Sequence, residues 1–420
     1  MSLKTPLAKS GALPLNELID QISDSLHHCQ EIGLLTISVL SARGDTGDDW
    51  QGYRDLLDEI STFLDRFVRE RLRKEDTLLA PLLTGNTHLL VLGPPREERA
   101  LVAEDTARVR ERLEHELRGY LETRLDHQLH ERYGVFVGDS RVRHRSGADP
   151  HRLIYYGIEQ AQARAIERRQ ETSLRHAASL QQILATSKID VVYQPLVNAV
   201  ERRIIGYEAL TRLPGGEFCS PDTLFRVAAE HGVLWSLERL CRARALQQLP
   251  PLEADQRLFL NLEPESFHDP ELQERPFLEA LDRAGLEPSR VVLELTERAA
   301  VRDFVAMRRQ LDRLRELGFP LALDDVGSGH AGLQTIAEIR PDYLKIDMAL
   351  VRNMHLDSVR REIVRSICDF ATRTETLLIA EGVESSAELD SLVAAGVRCV
   401  QGFLLARPAC PPEKPRWEKI

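Results

Sequence analysis

Between about residue 185 and residue 410 the chain repeats one pattern, a short run of β-branched and apolar residues followed by a stretch with helical spacing. The runs read IDVVYQPL, IIGYEAL, LFLNL, VVLEL, PLALDD, YLKID, LLIAE and CVQGF. Amphipathic stretches such as Asp303–Leu317 and Val359–Thr372 separate most of them, and Gly318, Gly382 and Gly396 stand where helices or strands should stop. About eight strands alternating with helices over roughly 230 residues predict an α/β fold of the TIM-like (β/α)8 barrel type. One junction departs from it. Only Val197 to Arg203 joins the first two strands, whereas a parallel crossover takes about a dozen residues or more. The first strand is therefore expected to run antiparallel to the second.

The region before residue 160 reads as a smaller α/β domain, with strands at Leu34–Leu40, His88–Leu92 and Tyr133–Val137 and helices over Trp50–Arg71 and Glu97–Arg124. The second helix is crowded with Arg and Glu, which marks a solvated face rather than a binding site. Ala161 to Leu184 is rich in Ala, Arg, Gln and Glu and has no Gly or Pro, the composition of a connecting helix. The resulting division is 1–160, 161–184 and 185–410.

Charge and composition remove several classes of function. With 66 acidic against 55 basic side chains the formal charge is −11, which disfavours long nucleic acid, since its non-specific binding is neutralisation by Lys and Arg. No apolar run of about 18 residues appears, so no membrane span is expected. The first residues lack an apolar signal core, and a cytoplasmic location is expected. Six cysteines, scattered without CxxC spacing, read as free thiols rather than disulfides or metal ligands.

In such a barrel the chemistry sits at the C-terminal ends of the strands. Here those ends carry Glu208 with Arg212, Asn261, Glu294 with Glu297, Asp324-Asp325, Lys345 with Asp347, Glu381, and Gln401. An ionised carboxylate inside an apolar strand must be paired or must hold a cation. One alone could pair with an arginine, but the ring holds too few interior cations to neutralise it. Oxygen ligands with one Asn, and no histidine, point to Mg2+ or Mn2+. Asp324-Asp325 could share two ions, and two ions suit displacement at a phosphodiester. Lys345 and Asp347, two apart on one strand, share a face, either to hold a water or anion or as a structural pair. Arg212 suits a forked grip on phosphate, although a surface arginine is the default. The Gly-bearing loop from Asp325 to His330 could fold over a ligand or be a plain turn.

Residues from about 178 to 410 resemble the EAL domain, the bacterial phosphodiesterase that hydrolyses cyclic di-GMP to linear pGpG. The matching motifs are Gln194-Pro195, Glu208–Leu210 with Arg212, Asn261, Glu294–Glu297, Asp324–Gly329, Lys345–Asp347, Glu381–Glu384 and Gln401-Gly402. The resemblance implies Glu208, Asn261, Glu294 and Asp324 as ligands of one metal and Asp324, Asp325 and Glu381 as ligands of another. It implies that Lys345 and Asp347 orient the attacking water, Arg212 binds phosphate, Glu297 braces the loop after the fifth strand, and Gln194 and Gln401 complete the substrate pocket. It also implies a homodimer through this domain. Val326 stands where the family usually has Phe, Ser328 replaces the usual Thr or Ala, and Ser is missing two positions after Asn261. None of these removes a ligand.

The N-terminal region resembles a degenerate GGDEF domain. Its signature position, Thr84-Gly85-Asn86-Thr87-His88, lacks both carboxylates, and SARGD after the first strand lacks the metal-binding Asp. The resemblance implies a regulatory, structural or GTP-binding role without cyclase activity. For the whole chain, the leading expectation is a cyclic-guanylate-specific phosphodiesterase. The alternatives are a cyclic di-GMP receptor that signals to a protein partner, and a barrel hydrolase for another phosphoester.

Overall fold

The computed structural model describes residues 15–41, 50–72, 77–81, 87–93, 101–124, 133–213, 215, 217–218, 220–296, 304–327 and 333–419. They fall into two compact units, Met1–Ala178 and Ser179–Ile420.

In the first unit, β1 (Glu31–Ser41), β2 (Thr77–Pro81), β3 (Thr87–Leu92) and β4 (Tyr133–Arg143) form an antiparallel sheet in the order β2-β3-β1-β4. Helix Trp50–Arg71 joins β1 to β2 and helix Ala103–Arg124 joins β3 to β4, which makes a β-α-β-β-α-β arrangement of the ferredoxin-like kind. Strand alternation gives the sheet two apolar faces. Leu35, Ile37, Val39 and Leu90 pack with Ile60, Phe63, Leu113 and Leu117 of the two helices. On the other face Ile32, Leu34, Leu89 and Val91 pack with Leu18, Ile22 and Leu26 of helix Leu15–Cys29 and with Ile154. Helix Leu15–Cys29 and strand β2 add to the elements expected from the sequence, and the third helix starts at Ala103 rather than Glu97. Of the signature segment, residues 84–86 lie outside the described residues, as do 42–45 of SARGD.

The connecting helix is longer than its composition suggested. It runs from Pro150 to Thr186. In its first half it lies close against β4, where a Cβ at Gly138 would collide with the Ala161 carbonyl oxygen.

The second unit is a closed barrel of β5 (Asp190–Asn198), β6 (Arg203–Arg212), β7 (Arg257–Leu262), β8 (Val291–Thr296), β9 (Leu321–Val326), β10 (Tyr343–Ile346), β11 (Leu377–Ala380) and β12 (Cys399–Val400). Neighbours from β6 to β12 pair in parallel, and β9–β10 belongs to the closed ring. β5 is antiparallel to both β6 and β12, as the short connection required, with Asp190 opposite Arg212 and Gln194 opposite Glu208. Leu258, Leu260, Leu293, Leu295, Leu321 and Leu323 belong to the large core shared with helices such as Phe304–Glu316. The residues between them belong to a second, smaller core. Phe259, Val292, Ala322, Tyr343, Ile379 and Cys399 cluster with Leu196 and Ile205, and each of the six stands two positions before a strand-end polar residue. Gly206 leaves room there, since a Cβ would lie 2.9 Å from the Phe259 ring.

Candidate active site

Strand alternation carries the polar ring onto the inward face, two residues beyond that apolar layer. Lys345 is its centre. It is 0% exposed, and its Nζ lies 2.6 Å from Glu381 Oε1, 2.9 Å from Glu294 Oε1, and 3.4 Å from both Glu208 Oε2 and Asp324 Oδ2. Four carboxylates from four strands thus converge on one ammonium. Amides complete the Glu208 side of the ring. Asn261 Nδ2 donates to Glu208 Oε1 at 2.8 Å and Gln401 Nε2 to Glu208 Oε2 at 2.7 Å. Gln401 Nε2 also lies 3.0 Å from Gln194 Oε1, and Gln194 Nε2 donates to the Ala406 carbonyl at 3.1 Å.

Asp325 reaches the site by a different device. Adjacent residues of a regular strand face opposite ways, so Asp324 and Asp325 could not both face inward. Between β9 and β10 the register passes from Leu344↔Leu323 to Ile346↔Val326, so two residues of β9 oppose Lys345 alone. This is a β-bulge, which bends a strand and re-aims a side chain. Asp325 takes a left-handed φ of 59°, a conformation that Asp tolerates better than most residues, and its N–H donates to Asp324 Oδ1 at 2.8 Å. Ligand oxygens of Asp324, Asp325 and Glu381 consequently lie within 4.8 Å of one another.

The electrostatics call for more positive charge than the ring contains. Burial pushes the carboxyls of Glu294 and Glu381 well above the ordinary range and raises Asp324, with neighbouring carboxylates adding to the rise and Lys345 opposing it, helped at Asp324 by the Asp325 N–H. Burial also acts against ionised Glu208, but Lys345 and the amides of Gln401 and Asn261 outweigh it and hold that carboxyl low. Burial acts against the Lys345 charge as well, yet Asp324, Glu208, Glu294 and Glu381 drive its pKa well above normal. Glu294 is 1% exposed, and its Oε2 has no hydrogen-bond partner among the described residues. Buried, under-compensated carboxylates with one amide form a hard-oxygen donor set that fits Mg2+ or Mn2+.

The remaining expected residues fall around this ring. Arg212 is exposed at the end of β6, with Nη1 donating to the Thr211 carbonyl at 3.0 Å, and it has no ion pair among the described residues. Asp347 lies one position past β10 rather than within it, and its Oδ1 accepts from Ala349 N at 2.7 Å as the N-cap of helix Met348–Val351. No ion pair joins it to Lys345 among the described residues. Glu297, Ser328, Gly329 and His330 lie outside the described residues. Gly402 is required beside the ring, because a Cβ there would collide with the backbone of Val383.

A group missed by sequence reading lies behind Asn261. Buried Glu238, Arg242 and Asp269 form an ion-paired network, with Arg242 Nη1 2.9 Å from Glu238 Oε2 and Nη2 2.9 Å from Asp269 Oδ2. Its members are up to 31 positions apart, counting from Glu238 to Asp269. The signal available was the spacing of Glu238 and Arg242, four apart on one helical face.

Comparison with known proteins agrees with this geometry. The EAL domain family model matches residues 177–408. MucR of Pseudomonas aeruginosa, named a bifunctional diguanylate cyclase/cyclic di-GMP phosphodiesterase, is 29% identical over 287 residues, 65% of this chain and 42% of MucR. The cyclic di-GMP phosphodiesterase PdeF of Escherichia coli is 30% identical over 237 residues, 54% of this chain and 31% of PdeF. The chain thus spans less than half the length of these two relatives. The solved PaMucR phosphodiesterase, a c-di-GMP complex, is 31% identical with a TM-score of 0.51 over 56% of this chain and 97% of that one. With the family model covering more than half of the sequence, and the barrel carrying the polar ring within the matched residues, the chain belongs to the EAL domain family.

Proposed function

We propose that the protein hydrolyses cyclic di-GMP to linear pGpG with two Mg2+ or Mn2+ ions. The observation that carries this reading is the convergence of Glu208, Glu294, Asp324 and Glu381 on Lys345, with Asp325 turned beside them by the bulge. Glu208, Asn261, Glu294 and Asp324 would hold one ion, and Asp324, Asp325 and Glu381 the other. Two such ions supply Lewis acidity at the phosphoryl group and acidify a water. Lys345, at the centre of the four carboxylates, would donate to the attacking water or the developing oxyanion. Asp347 orients the same water from the end of β10, and Glu297 braces the loop after β9. Arg212, exposed at the rim, grips a phosphate, while Gln401 and Gln194 keep Glu208 aimed and border the substrate. Relatives named as cyclic di-GMP phosphodiesterases support the substrate.

The same reading assigns 185–410 to the phosphodiesterase domain, 161–184 to the connection, and the ferredoxin-like unit to a degenerate GGDEF domain. It includes association into a homodimer through the barrel unit. Among the described residues no helix is long and apolar enough to cross a membrane.

Chromatography of cyclic di-GMP incubated with the protein and Mg2+ or Mn2+ tests the assignment. Wild type should yield pGpG, and Glu208→Ala or Lys345→Ala should reduce turnover at least a hundredfold, as should excess chelator. Full turnover by either variant, or turnover without divalent metal, would overturn it. Tight binding without pGpG would instead identify a receptor.

A further inference from the structure

Helix Leu234–Gln247 presents Trp235, Glu238, Arg239 and Arg242 at positions i, i+3, i+4 and i+7, a single face. That face meets the segment that leaves β7 immediately after Asn261, two short 3-10 turns at Pro264–His268 and Pro270–Gln273. Such turns have few backbone hydrogen bonds of their own, so their position depends on what grips them. Glu238 Oε1 accepts from Glu263 N at 2.7 Å, two residues past Asn261, and Trp235 Nε1 donates to the Glu265 carbonyl at 3.0 Å. Asp269, buried, accepts from both Arg239 and Arg242 and from Glu271 N at 3.0 Å, and Arg239 Nη1 meets Glu271 at 2.8 Å. Glu238, Asp269, Arg239 and Arg242 balance to zero formal charge. Paired forks and backbone contacts of this kind fix a geometry rather than merely filling space.

We infer that this network is a positioning device for the metal site, setting the separation of the β6 and β7 ends and hence of Glu208 and Asn261. The helix follows helix Pro221–Glu230 in the connection from β6 to β7, its Cys241 hydrogen-bonds Thr211 at the end of β6, and the gripped turns follow β7 directly, so the helix that carries the network touches both strand ends that bear those ligands. Their contact, Asn261 Nδ2 to Glu208 Oε1, engages the amide nitrogen and leaves the amide oxygen uncommitted to Glu208. Partners behind a ligand that hold its orientation typically change metal affinity about 10–100-fold when removed. The inference rests on the two-ion reading of the ring.

The test is Mn2+ titration followed by electron paramagnetic resonance, on the full chain and on Glu238→Gln, Asp269→Asn and Trp235→Phe, with cooperative unfolding checked for each. Glu238→Gln retains an acceptor for Glu263 N but weakens the grip of Arg242. Trp235→Phe removes one N–H from a partly exposed ring, so it remains folded even where a buried-charge variant does not. The Mn2+ dissociation constant should rise about tenfold in Glu238→Gln and Asp269→Asn and severalfold in Trp235→Phe. Turnover should recover at correspondingly higher Mn2+, with KM for cyclic di-GMP unchanged. Folded variants with Mn2+ affinity within twofold of wild type would make the network purely structural and overturn the inference while leaving the phosphodiesterase reading intact. Failure of wild type itself to take up Mn2+ would overturn both.

Discussion

Asp325 has two separable duties, since its backbone holds a left-handed turn in the bulge and its carboxylate joins Asp324 and Glu381. Asn tolerates that backbone nearly as well as Asp, whereas Ala pays about 1 kcal/mol there. Asp325→Asn keeps that backbone and removes one of three clustered carboxylates, so the metal-free variant should be at least as stable as wild type. It should nevertheless lose most turnover. Asp325→Ala should lose both turnover and about 1 kcal/mol of stability. Denaturant melts of the two metal-free variants, set beside their turnover, separate the duties, and equal stability of Asn and Ala would remove the strain argument. Lys345 is the complementary case, a buried cation whose charge is stabilised by the carboxylates it holds together.

At the level of elements, helix Ser358–Arg373 has an apolar flank in an unexpected place. Leu356, just before it, is 76% exposed and Val359 is 66% exposed, and Ile363 and Phe370 continue the row at helical spacing. An exposed apolar row is where the proposed homodimer would associate. Val359→Glu or Leu356→Glu should halve the mass measured by light scattering while each variant still unfolds cooperatively, whereas an unchanged mass would move the interface elsewhere. Much at this scale was legible beforehand. The apolar runs marked the barrel strands, and the seven-residue interval from Val197 to Arg203 betrayed the reversed first strand. Strand β2, TLLAP, was not legible, being five residues long and ending in proline. Nor was the bulge, because two adjacent aspartates read equally well as one inward and one outward group until the register with β10 is known. The pairing of Arg242 with Asp269 was hidden for a similar reason, since an ion pair between distant segments leaves no local periodicity, and only the spacing of Glu238 and Arg242 on one helical face was visible.

Across the whole molecule, five of the 66 acidic side chains gather around the single ammonium of Lys345 at one end of the barrel. An ion bound only by the folded state stabilises it by RT ln(1 + [L]/Kd), about 2.7 kcal/mol at a hundred times Kd. Hydrogen exchange with and without Mn2+ should thus slow in strands β6 to β11 and stay unchanged in β1 to β4, and uniform slowing would contradict a site confined to the barrel. The reversal of β5 bears on the route into that site. In an all-parallel barrel a segment arriving from upstream would join at the floor, a full strand length from the reacting groups. Here Asp190 opens β5 opposite Arg212, so the chain that leaves the long helix at Thr186 enters at the mouth. The end of that helix therefore leads into the barrel at the same lip that carries the polar ring, where Asp190 stands four residues before Gln194.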